Sequence, residues 1–319
     1  MTDTRRLVIG TRGSALALWQ AHAVQRALAE ARPDLACEIR VIKTVGDRNL
    51  ATPLAQIGDK GLFTKELEAE LVDGTVDVCV HSMKDVPNEL ADGCAIVGML
   101  PRADVRDALV CGPRIAGATC LADVADGARI GTGSLRRVAQ LAAAHPGLVP
   151  TPIRGNVDTR VRKALGDDYE GAILAVAGLA RLGMADRIAF AIDPAEMIPA
   201  VGQGAVGVEA RVADEGVRQA VAAISDEATF ACVMAERTIL RELDGSCKVP
   251  MGAYTRALPD GGLRMDAFVA SVDGARQARA SRVAAPGASI DDLARDVLAA
   301  LLDGGAREIR DEIKEAAHV

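Results

Sequence analysis

Cys247 lies in a short stretch bracketed by Gly245 and Pro250, directly after a segment whose pattern predicts a long amphipathic helix. A thiol held in a turn past a helix is exposed enough to react as a nucleophile. Arginines recur in several separate loops of the same chain. Together, the thiol and the arginines indicate a covalently anchored ligand that carries several negative charges.

Three loops have the composition of anion-binding turns, because each joins a predicted strand to a predicted helix and combines glycine, a hydroxyl side chain and arginine. The candidate residues are Arg12 and Ser14 in the first loop, Thr132, Ser134, Arg136 and Arg137 in the second, and Arg154 and Arg160 in the third. Ser14 is also a candidate helix N-cap. None of the three loops has the glycine spacing of a nucleotide-binding motif. Solvated surface ion pairs explain a single loop of this kind as readily, but three loops together favour anion binding.

The segment 81–87 follows a predicted strand, at the end where a parallel sheet presents its chemistry. Asp85 in this segment is a candidate general acid or base, or a stabiliser of developing positive charge. From the spacing alone, a turn aspartate paired with Lys84 is the simpler interpretation. His81 is a candidate proton shuttle, although a histidine after an apolar strand is more often a hydrogen-bonded core residue.

Length and composition place the chain among globular proteins with more than one domain. Its 319 residues exceed what one hydrophobic core usually supports, and its apolar and charged fractions, 50% and 25%, are those of an ordinary globular chain. Aromatic residues make up only 2%, too few to build stacking platforms for single-stranded nucleic acid. The net charge of −7 disfavours binding to nucleic acid or to acidic membrane surfaces. Any anion site must therefore be local.

Targeting and cysteine patterns predict a soluble, cytoplasmic protein. The N-terminal residues predict a strand and not a signal peptide, and no apolar run reaches the roughly 20 residues that span a bilayer. The seven cysteines include no Cys-x-x-Cys pair, so we expect reduced thiols and neither a disulfide framework nor a metal site.

Strand-like and helix-like segments alternate along most of the chain, which predicts mostly parallel sheets with helices on both faces. The predicted strands are 7–11, 38–44, 76–81, 128–131, 149–153 and 171–176, and the predicted helices are 14–31, 60–73 and 135–144. Charged and turn residues at 102–107 and 199–207 predict the crossings between two such units. The remainder predicts a small α+β domain. Its segments are helices at 226–243 and 289–302 and strands at 252–257, 263–271 and 278–284.

Six motifs, in order and across nearly the whole chain, closely resemble those of the porphobilinogen deaminase (hydroxymethylbilane synthase) family. They are Lys60-Gly61-Leu62-Phe63, His81-Ser82-Met83-Lys84-Asp85-Val86-Pro87, Ser134-Leu135-Arg136-Arg137, Arg154-Gly155-Asn156, Pro199-Ala200-Val201-Gly202-Gln203-Gly204 and Cys247-Lys248-Val249-Pro250. The resemblance implies two periplasmic-binding-protein-like (type II) α/β domains with mostly parallel sheets around a hinged cleft, plus a small C-terminal α+β domain. The implied domains are residues 1–104 with 203–223, residues 105–202, and residues 224–319.

The resemblance also implies a transferase of tetrapyrrole (haem) biosynthesis. Such an enzyme condenses four porphobilinogen units head to tail, releases ammonia, and hydrolyses the chain to hydroxymethylbilane. Cys247 matches the cysteine that holds the family's dipyrromethane cofactor through a thioether, and Asp85 matches its catalytic carboxylate. The family implies a monomer with a small-molecule substrate and with no metal, nucleic-acid or membrane partner.

Further residues match the family's binding positions. The resemblance assigns cofactor binding to Lys84, Asp85, Thr132, Ser134, Arg136 and Arg137, substrate binding to Arg12, Ser14, Arg154, Arg160, Arg181 and Gln203, and a lid to Lys60 and Phe63. Each pyrrole brings two carboxylates, so a growing chain needs many fixed cations and backbone donors. Departures from the family pattern are few: Ser246 and Lys248 flank the cysteine, and Asp59 and Gly133 replace an expected glycine and serine.

Two alternatives from other classes share part of this pattern. A non-enzymatic anion- or solute-binding protein of the periplasmic-binding fold would have the same two α/β domains, and the fold alone does not separate it from an enzyme. The missing signal peptide and the stretch around Cys247 argue against it. A ligand-sensing domain of a transcription regulator would accompany a helix-turn-helix segment or a basic patch, and the sequence shows neither.

Overall fold

The computed structural model describes residues 5–44, 64–243 and 249–316. The chain divides into two compact units, one of Met1–Ala103 with Gly204–Ala231 and the other of Asp104–Gln203 with Cys232–Val319. The chain crosses between the units three times. The first two crossings fall inside the segments that the sequence predicted for them, 102–107 and 199–207, and the third falls between Ala231 and Cys232. The three implied domains divide the chain more finely than these two units, and their boundaries stay a prediction.

Strands and helices alternate along the described chain. The strands are β1 (Arg5–Arg12), β2 (Leu35–Ile42), β3 (Val78–Ser82), β4 (Cys94–Met99), β5 (Asp107–Cys111), β6 (Arg129–Gly131), β7 (Val149–Thr151), β8 (Gly171–Ala175), β9 (Phe190–Ala191), β10 (Val206–Arg211), β11 (Met251–Ala257), β12 (Leu263–Ala270) and β13 (Gln277–Ala284). The helices are α1 (Ala15–Ala31), α2 (Lys65–Val72), α3 (Leu135–Ala144), α4 (Val157–Ala164), α5 (Val176–Arg181), α6 (Glu215–Ala222), α7 (Glu227–Glu242), α8 (Ile290–Asp303) and α9 (Ala306–Ala316).

The first unit is built on a five-stranded sheet with the order β2-β1-β3-β10-β4. β1 runs parallel to β2 and β3, whereas β10 runs antiparallel to β3 and β4, so four of the five strands point the same way. β10 enters this sheet only after the chain has passed through the second unit. Ile9, Val78 and Val208 of the sheet share a buried core with Val24 and Leu28 of α1.

The second unit contains a five-stranded sheet with the order β7-β6-β8-β5-β9. β6 is parallel to β7 and β8, and β5 is antiparallel to β8 and β9, so one reversed strand again lies between strands of the other direction. Along β8, Ile173 packs into one core cluster and Ala172 and Leu174 pack into another. Because successive side chains of a strand point to opposite faces, both faces of this sheet are covered.

The C-terminal part of the second unit is a three-stranded antiparallel sheet, β11-β12-β13, packed against helices. Ile239 of α7, Val297 of α8 and Ile309 of α9 share one buried core with Met265 and Val269 of β12. The predicted fold class, α/β with parallel-rich sheets and a small C-terminal α+β domain, is therefore confirmed.

The sequence pattern missed two central strands, β5 and β10. Their first residues fall in the segments that predicted only crossings. The apolar residues that follow Asp107 in β5 do not alternate with polar ones, and β10 contains Gly207, a residue type that strands disfavour. Every residue from 206 to 210 is buried, because both faces of β10 are covered. The strand predicted at 38–44 begins and ends earlier, whereas α3 has its predicted bounds.

No helix in the described ranges is long and apolar enough to cross a lipid bilayer. The described residues also bring together no group of three or more histidine, cysteine, aspartate or glutamate side chains that could hold a metal ion. The six cysteines in these ranges are free thiols.

Candidate active site

Asp85 lies on a short 3₁₀ turn, Met83–Asp85, that follows β3. Met83 is buried at the start of the turn, and Asp85 is exposed at its end. The Met83 amide donates to the Ala205 carbonyl at 3.1 Å, and the Val86 amide donates to the Met83 carbonyl at 3.3 Å. The turn therefore presents Asp85 to solvent at the carboxyl end of β3, the edge at which parallel sheets bind ligands.

The first anion-binding loop leads into a capped helix. Ser14 Oγ accepts a hydrogen bond of 3.3 Å from the Ala17 amide, so the predicted N-cap of α1 is confirmed. Thr11 Oγ1 donates to the Ala17 carbonyl at 3.2 Å. Arg12 ends β1 and is half-buried. Because β1 and β3 are parallel, Arg12 and Ser14 lie at the same edge of the sheet as Asp85.

The second loop, between β6 and α3, is held by its own polar groups. The Thr132 amide donates to the Thr151 carbonyl at 2.9 Å, and the Ser134 amide donates to Thr132 Oγ1 at 3.2 Å. Thr132 is buried, and Ser134 is half-buried at the N-cap position of α3. The first turn of α3 contains no acidic residue, so the positive end of the helix dipole adds to the charge of the arginines that follow.

Arg136 and Arg137 point into the protein and share one carboxylate, that of Asp107 at the start of β5. Arg136 Nη2 donates to Asp107 Oδ2 at 2.7 Å, and Arg137 Nη2 donates to Asp107 Oδ1 at 2.7 Å. The remaining Nη1 groups donate to the Ile198 and Ile173 carbonyls, each at 2.7 Å. Both arginines are 5% exposed and Asp107 is fully buried, so these contacts build the interior of the unit.

The cluster of Asp107, Arg136 and Arg137 has a surplus positive charge. Burial alone would raise the pKa of Asp107, but the two guanidinium groups outweigh it and hold that pKa well below its usual range. Burial lowers the pKa of Arg136, which the charge of Asp107 opposes. One ionised carboxylate therefore faces two cations, and the uncompensated charge favours an anionic ligand near the N-terminus of α3.

Gln203 completes the same cluster from the second crossing. Its Nε2 group donates to the Val105 carbonyl at 2.7 Å and to Asp107 Oδ1 at 3.0 Å, and the side chain is 1% exposed. Asp107 is a site residue that the sequence motifs did not indicate. The available signal was an acidic residue at the head of an uninterrupted apolar run, because such a residue is buried only with a partner.

The third loop brings Arg154 and Arg160 together around a tight turn. Arg160 Nε donates to the Gly155 carbonyl at 2.8 Å, and Lys163 Nζ donates to the Arg154 carbonyl at 3.1 Å. Gly155 has a φ of +115°, a conformation that residues with a Cβ rarely adopt. Arg154 and Arg160 are both half-buried.

Arg181 ends α5, the helix that follows β8, and is half-buried. Burial lowers its pKa to about 10, so the guanidinium group stays charged at neutral pH. Since β6, β7 and β8 are parallel neighbours, the loop with Ser134, the loop with Arg154 and the start of α5 all leave the same edge of the second sheet, and Arg181 lies at the other end of α5. This edge offers hydroxyl donors and several cations, a donor set suited to a ligand with many carboxylates.

Three predicted site residues, Cys247, Lys60 and Phe63, lie outside the described residues. The residues on either side of the Cys247 stretch, Leu243 and Val249, are buried in the core of the C-terminal sheet. The two ends of that stretch are therefore anchored in one hydrophobic cluster.

Two family models match the chain. Residues 7–219 match "Porphobilinogen deaminase, dipyromethane cofactor binding domain", and residues 230–302 match "Porphobilinogen deaminase, C-terminal domain". Among curated relatives, the porphobilinogen deaminase of Syntrophobacter fumaroxidans is 45% identical over 316 residues, which cover 99% of this chain and 100% of the relative. That of Chlorobium phaeobacteroides is 40% identical over 98% of this chain and 99% of the relative.

Among solved structures, one that is similar to this chain is a Salmonella typhimurium periplasmic binding protein with high arginine specificity. The similarity covers 69% of this chain and 92% of that protein. Its TM-score is 0.38 and its sequence identity 15%. Identity at the level of the curated relatives, over the full length of the chain, favours the enzyme over the solute-binding alternative.

Proposed function

The chain belongs to the porphobilinogen deaminase family, and we propose that it condenses four porphobilinogen units head to tail and hydrolyses the product to hydroxymethylbilane. The reaction is that of a transferase in tetrapyrrole (haem) biosynthesis, and ammonia is released at each condensation. The observation that carries the proposal for this chain is the exposed carboxylate of Asp85, on the turn at the carboxyl end of β3, inside the matched range 7–219.

Asp85 is proposed as the catalytic carboxylate. A carboxylate at this position accepts a hydrogen bond from the pyrrole N–H group and stabilises the positive charge that develops on the substrate when ammonia leaves. The exposure of Asp85 supports this role, because a buried carboxylate could not reach a substrate. Lys84 precedes it and is half-buried, a position suited to pairing with an acidic side chain of the ligand.

The cofactor of this family is dipyrromethane. When bound, it supplies the pyrrole to which substrate units are joined. We propose that Cys247 holds it through a thioether and that Lys84, Asp85, Thr132, Ser134, Arg136 and Arg137 hold its polar groups. The surplus positive charge around Asp107 fits a group with several carboxylates.

Substrate binding is proposed for the remaining cations at the sheet edges, namely Arg12, Arg154, Arg160 and Arg181, together with Ser14 and Gln203. The half-buried arginines retain charge and reach solvent, as carboxylate binding requires. Gln203 differs from them, because its amide already donates to Asp107 inside the unit. Its buried contacts support an indirect role, in which Gln203 holds the Asp107 carboxylate and Asp107 holds Arg136 and Arg137.

Lys60 and Phe63 are proposed to belong to a lid that excludes water from the reacting pyrroles. We further propose a monomeric enzyme of the cytoplasm, whose partner is the small-molecule substrate alone.

Intact-mass measurement and turnover test the proposal together. The purified protein should be heavier than its polypeptide by one dipyrromethane, and it should release ammonia from porphobilinogen while hydroxymethylbilane accumulates. A solute-binding protein would have the mass of the bare polypeptide and release no ammonia. Either a bare mass that persists after incubation with porphobilinogen, or an absence of ammonia release, would contradict the proposed function.

A further inference from the structure

Glu209 and His81 form a buried pair on neighbouring strands of the first unit. Glu209 Oε2 and His81 Nε2 are 2.8 Å apart, and the two side chains are 0% and 5% exposed. Gly207 lies opposite His81 and Glu209 opposite Cys79 in the antiparallel register of β10 and β3, so the pair is diagonal on one face of the sheet. Of the two interpretations of His81 from sequence, the hydrogen-bonded core residue is confirmed.

β10 and the residue just before it, Ala205, support the turn that leads to Asp85. The Ala205 carbonyl accepts the Met83 amide at 3.1 Å. Gly207 leaves space for the Met83 side chain, because a Cβ at this position would collide with the thioether sulfur. The alternate positions Ala205, Gly207 and Glu209 therefore contact His81 and Met83, the last two buried residues before Asp85.

The energetics of the pair point to a role other than stability. Removing a carboxylate and an imidazole from water costs desolvation energy, and a packed apolar pair of similar volume is often as stable or more stable. A hydrogen-bonded pair, however, permits one relative position of its two strands, whereas apolar contacts permit several. The contact thus specifies where the end of β3 lies relative to β10.

We propose that Glu209, acting through His81, is a positioning residue that fixes the end of β3 and thereby the place of the Asp85 carboxylate. This inference rests on the proposed function, in which Asp85 acts on the substrate. Neither Glu209 nor His81 is placed to contact the substrate, because their side chains are only 0% and 5% exposed.

The test is a double variant, His81→Leu with Glu209→Met, which removes both polar partners together and retains their volume. Its unfolding temperature and its covalent cofactor mass should equal those of the unchanged protein. KM for porphobilinogen should change less than about threefold, whereas kcat should fall by about 100-fold, the loss expected for a displacement of about 1 Å at the reacting group.

The matched control is a second histidine–glutamate pair among the described residues, in which His145 Nε2 and Glu196 Oε1 are also 2.8 Å apart. Its side chains are 19% and 36% exposed, and it lies in the second unit. His145→Leu with Glu196→Met should leave kcat unchanged. A kcat within about twofold of the unchanged protein in the His81 and Glu209 double variant, with the fold intact, would overturn the inference.

If the double variant does not fold, two conservative variants decide. The amide nitrogen of His81→Gln takes the place of Nε2 and can still donate to Glu209, whereas that of His81→Asn takes the place of Nδ1. Positioning predicts that kcat survives in the first and falls in the second, and equal kcat in both overturns it. A failure of the proposed function would look different, because the unchanged protein itself would then release no ammonia from porphobilinogen.

Discussion

Asp107 Oδ2 accepts a hydrogen bond of 2.7 Å from Arg136 Nη2 in the interior of the second unit, where the two side chains are 0% and 5% exposed. Arg137 binds the other oxygen of the same carboxylate. The two arginines that we propose to bind the cofactor thus already have a partner inside the protein. Because that partner neutralises only one of them, the cluster can attract an acidic ligand while both guanidinium groups stay fixed.

Asp107→Asn should destabilise the fold strongly. The variant leaves two buried guanidinium groups without a counter-charge, and breaking a buried pair in this way costs about 3–5 kcal/mol. Urea unfolding, monitored by circular dichroism, measures the change. The control is Asp104→Asn: Asp104 pairs with Arg106 at 2.6 Å, but the side chains are 31% and 46% exposed. Loss of that surface pair should cost less than about 1 kcal/mol. Similar losses in both variants would show that the buried charge has no special weight.

The same carboxylate predicts a dependence of stability on acid. Although burial opposes it, the paired arginines lower the folded-state pKa of Asp107. A carboxylate whose pKa is lowered in the folded state stabilises the fold at pH values above its unfolded-state pKa of about 3.9. This stabilisation is lost as the pH falls towards the folded-state pKa. The difference in unfolding free energy between the unchanged protein and Asp107→Asn should therefore be constant above about pH 5 and shrink below about pH 4. A difference that does not change with pH would rule out this linkage.

The direction of Arg136 and Arg137 could not be predicted from sequence, although the helix that carries them could. The periodicity of α3 is local, and its bounds were predicted correctly. The partner of both arginines, Asp107, is about 30 positions earlier and is brought close only by the pairing of β5 with β8. A sequence pattern treats adjacent arginines as a solvated surface, because burial of a charge depends on partners that the fold supplies.

The position of Asp85, by contrast, followed from sequence. An apolar strand that runs into a short turn suffices to place a side chain of that turn at the carboxyl edge of a parallel sheet. The support that β10 gives this turn did not follow, because β10 begins in a segment whose turn residues predicted a crossing and contains Gly207, a residue type that strands disfavour.

Asp85→Asn should abolish turnover and leave the fold intact. The amide has the shape of the carboxylate but no charge with which to stabilise the cation formed when ammonia leaves, so we expect kcat to fall by at least about 100-fold. Asp85 is exposed, so the unfolding free energy should change by less than about 0.5 kcal/mol. Asp92→Asn, at another exposed aspartate of the same unit, should keep full activity. Ammonia release and urea unfolding measure the two effects, and a kcat close to that of the unchanged protein would reject the catalytic role.

Glu68→Gln should stabilise the protein at neutral and alkaline pH. Burial, and then the charge of Glu209, raise the pKa of Glu68 in the folded state. A carboxyl group whose pKa is raised in the folded state destabilises the fold increasingly as the pH rises from its unfolded-state pKa through its folded-state pKa. The glutamine variant has no such loss, so its advantage in unfolding temperature should be greatest at pH 8 and disappear towards pH 4. Glu66→Gln on the same helix is the control, and an advantage of equal size at both pH values would contradict the prediction.

Cys247→Ala should yield protein without the cofactor. If this thiol is the anchor, the intact mass becomes that of the bare polypeptide and the colour reaction with Ehrlich's reagent disappears. Since a bound cofactor stabilises only the folded state, the variant should also unfold at a lower temperature. Cys120→Ser is the matched control, because Cys120 is a free and exposed thiol and its loss should leave the added mass in place. An adduct that persists in Cys247→Ala and vanishes in Cys120→Ser would assign the thioether to the other cysteine.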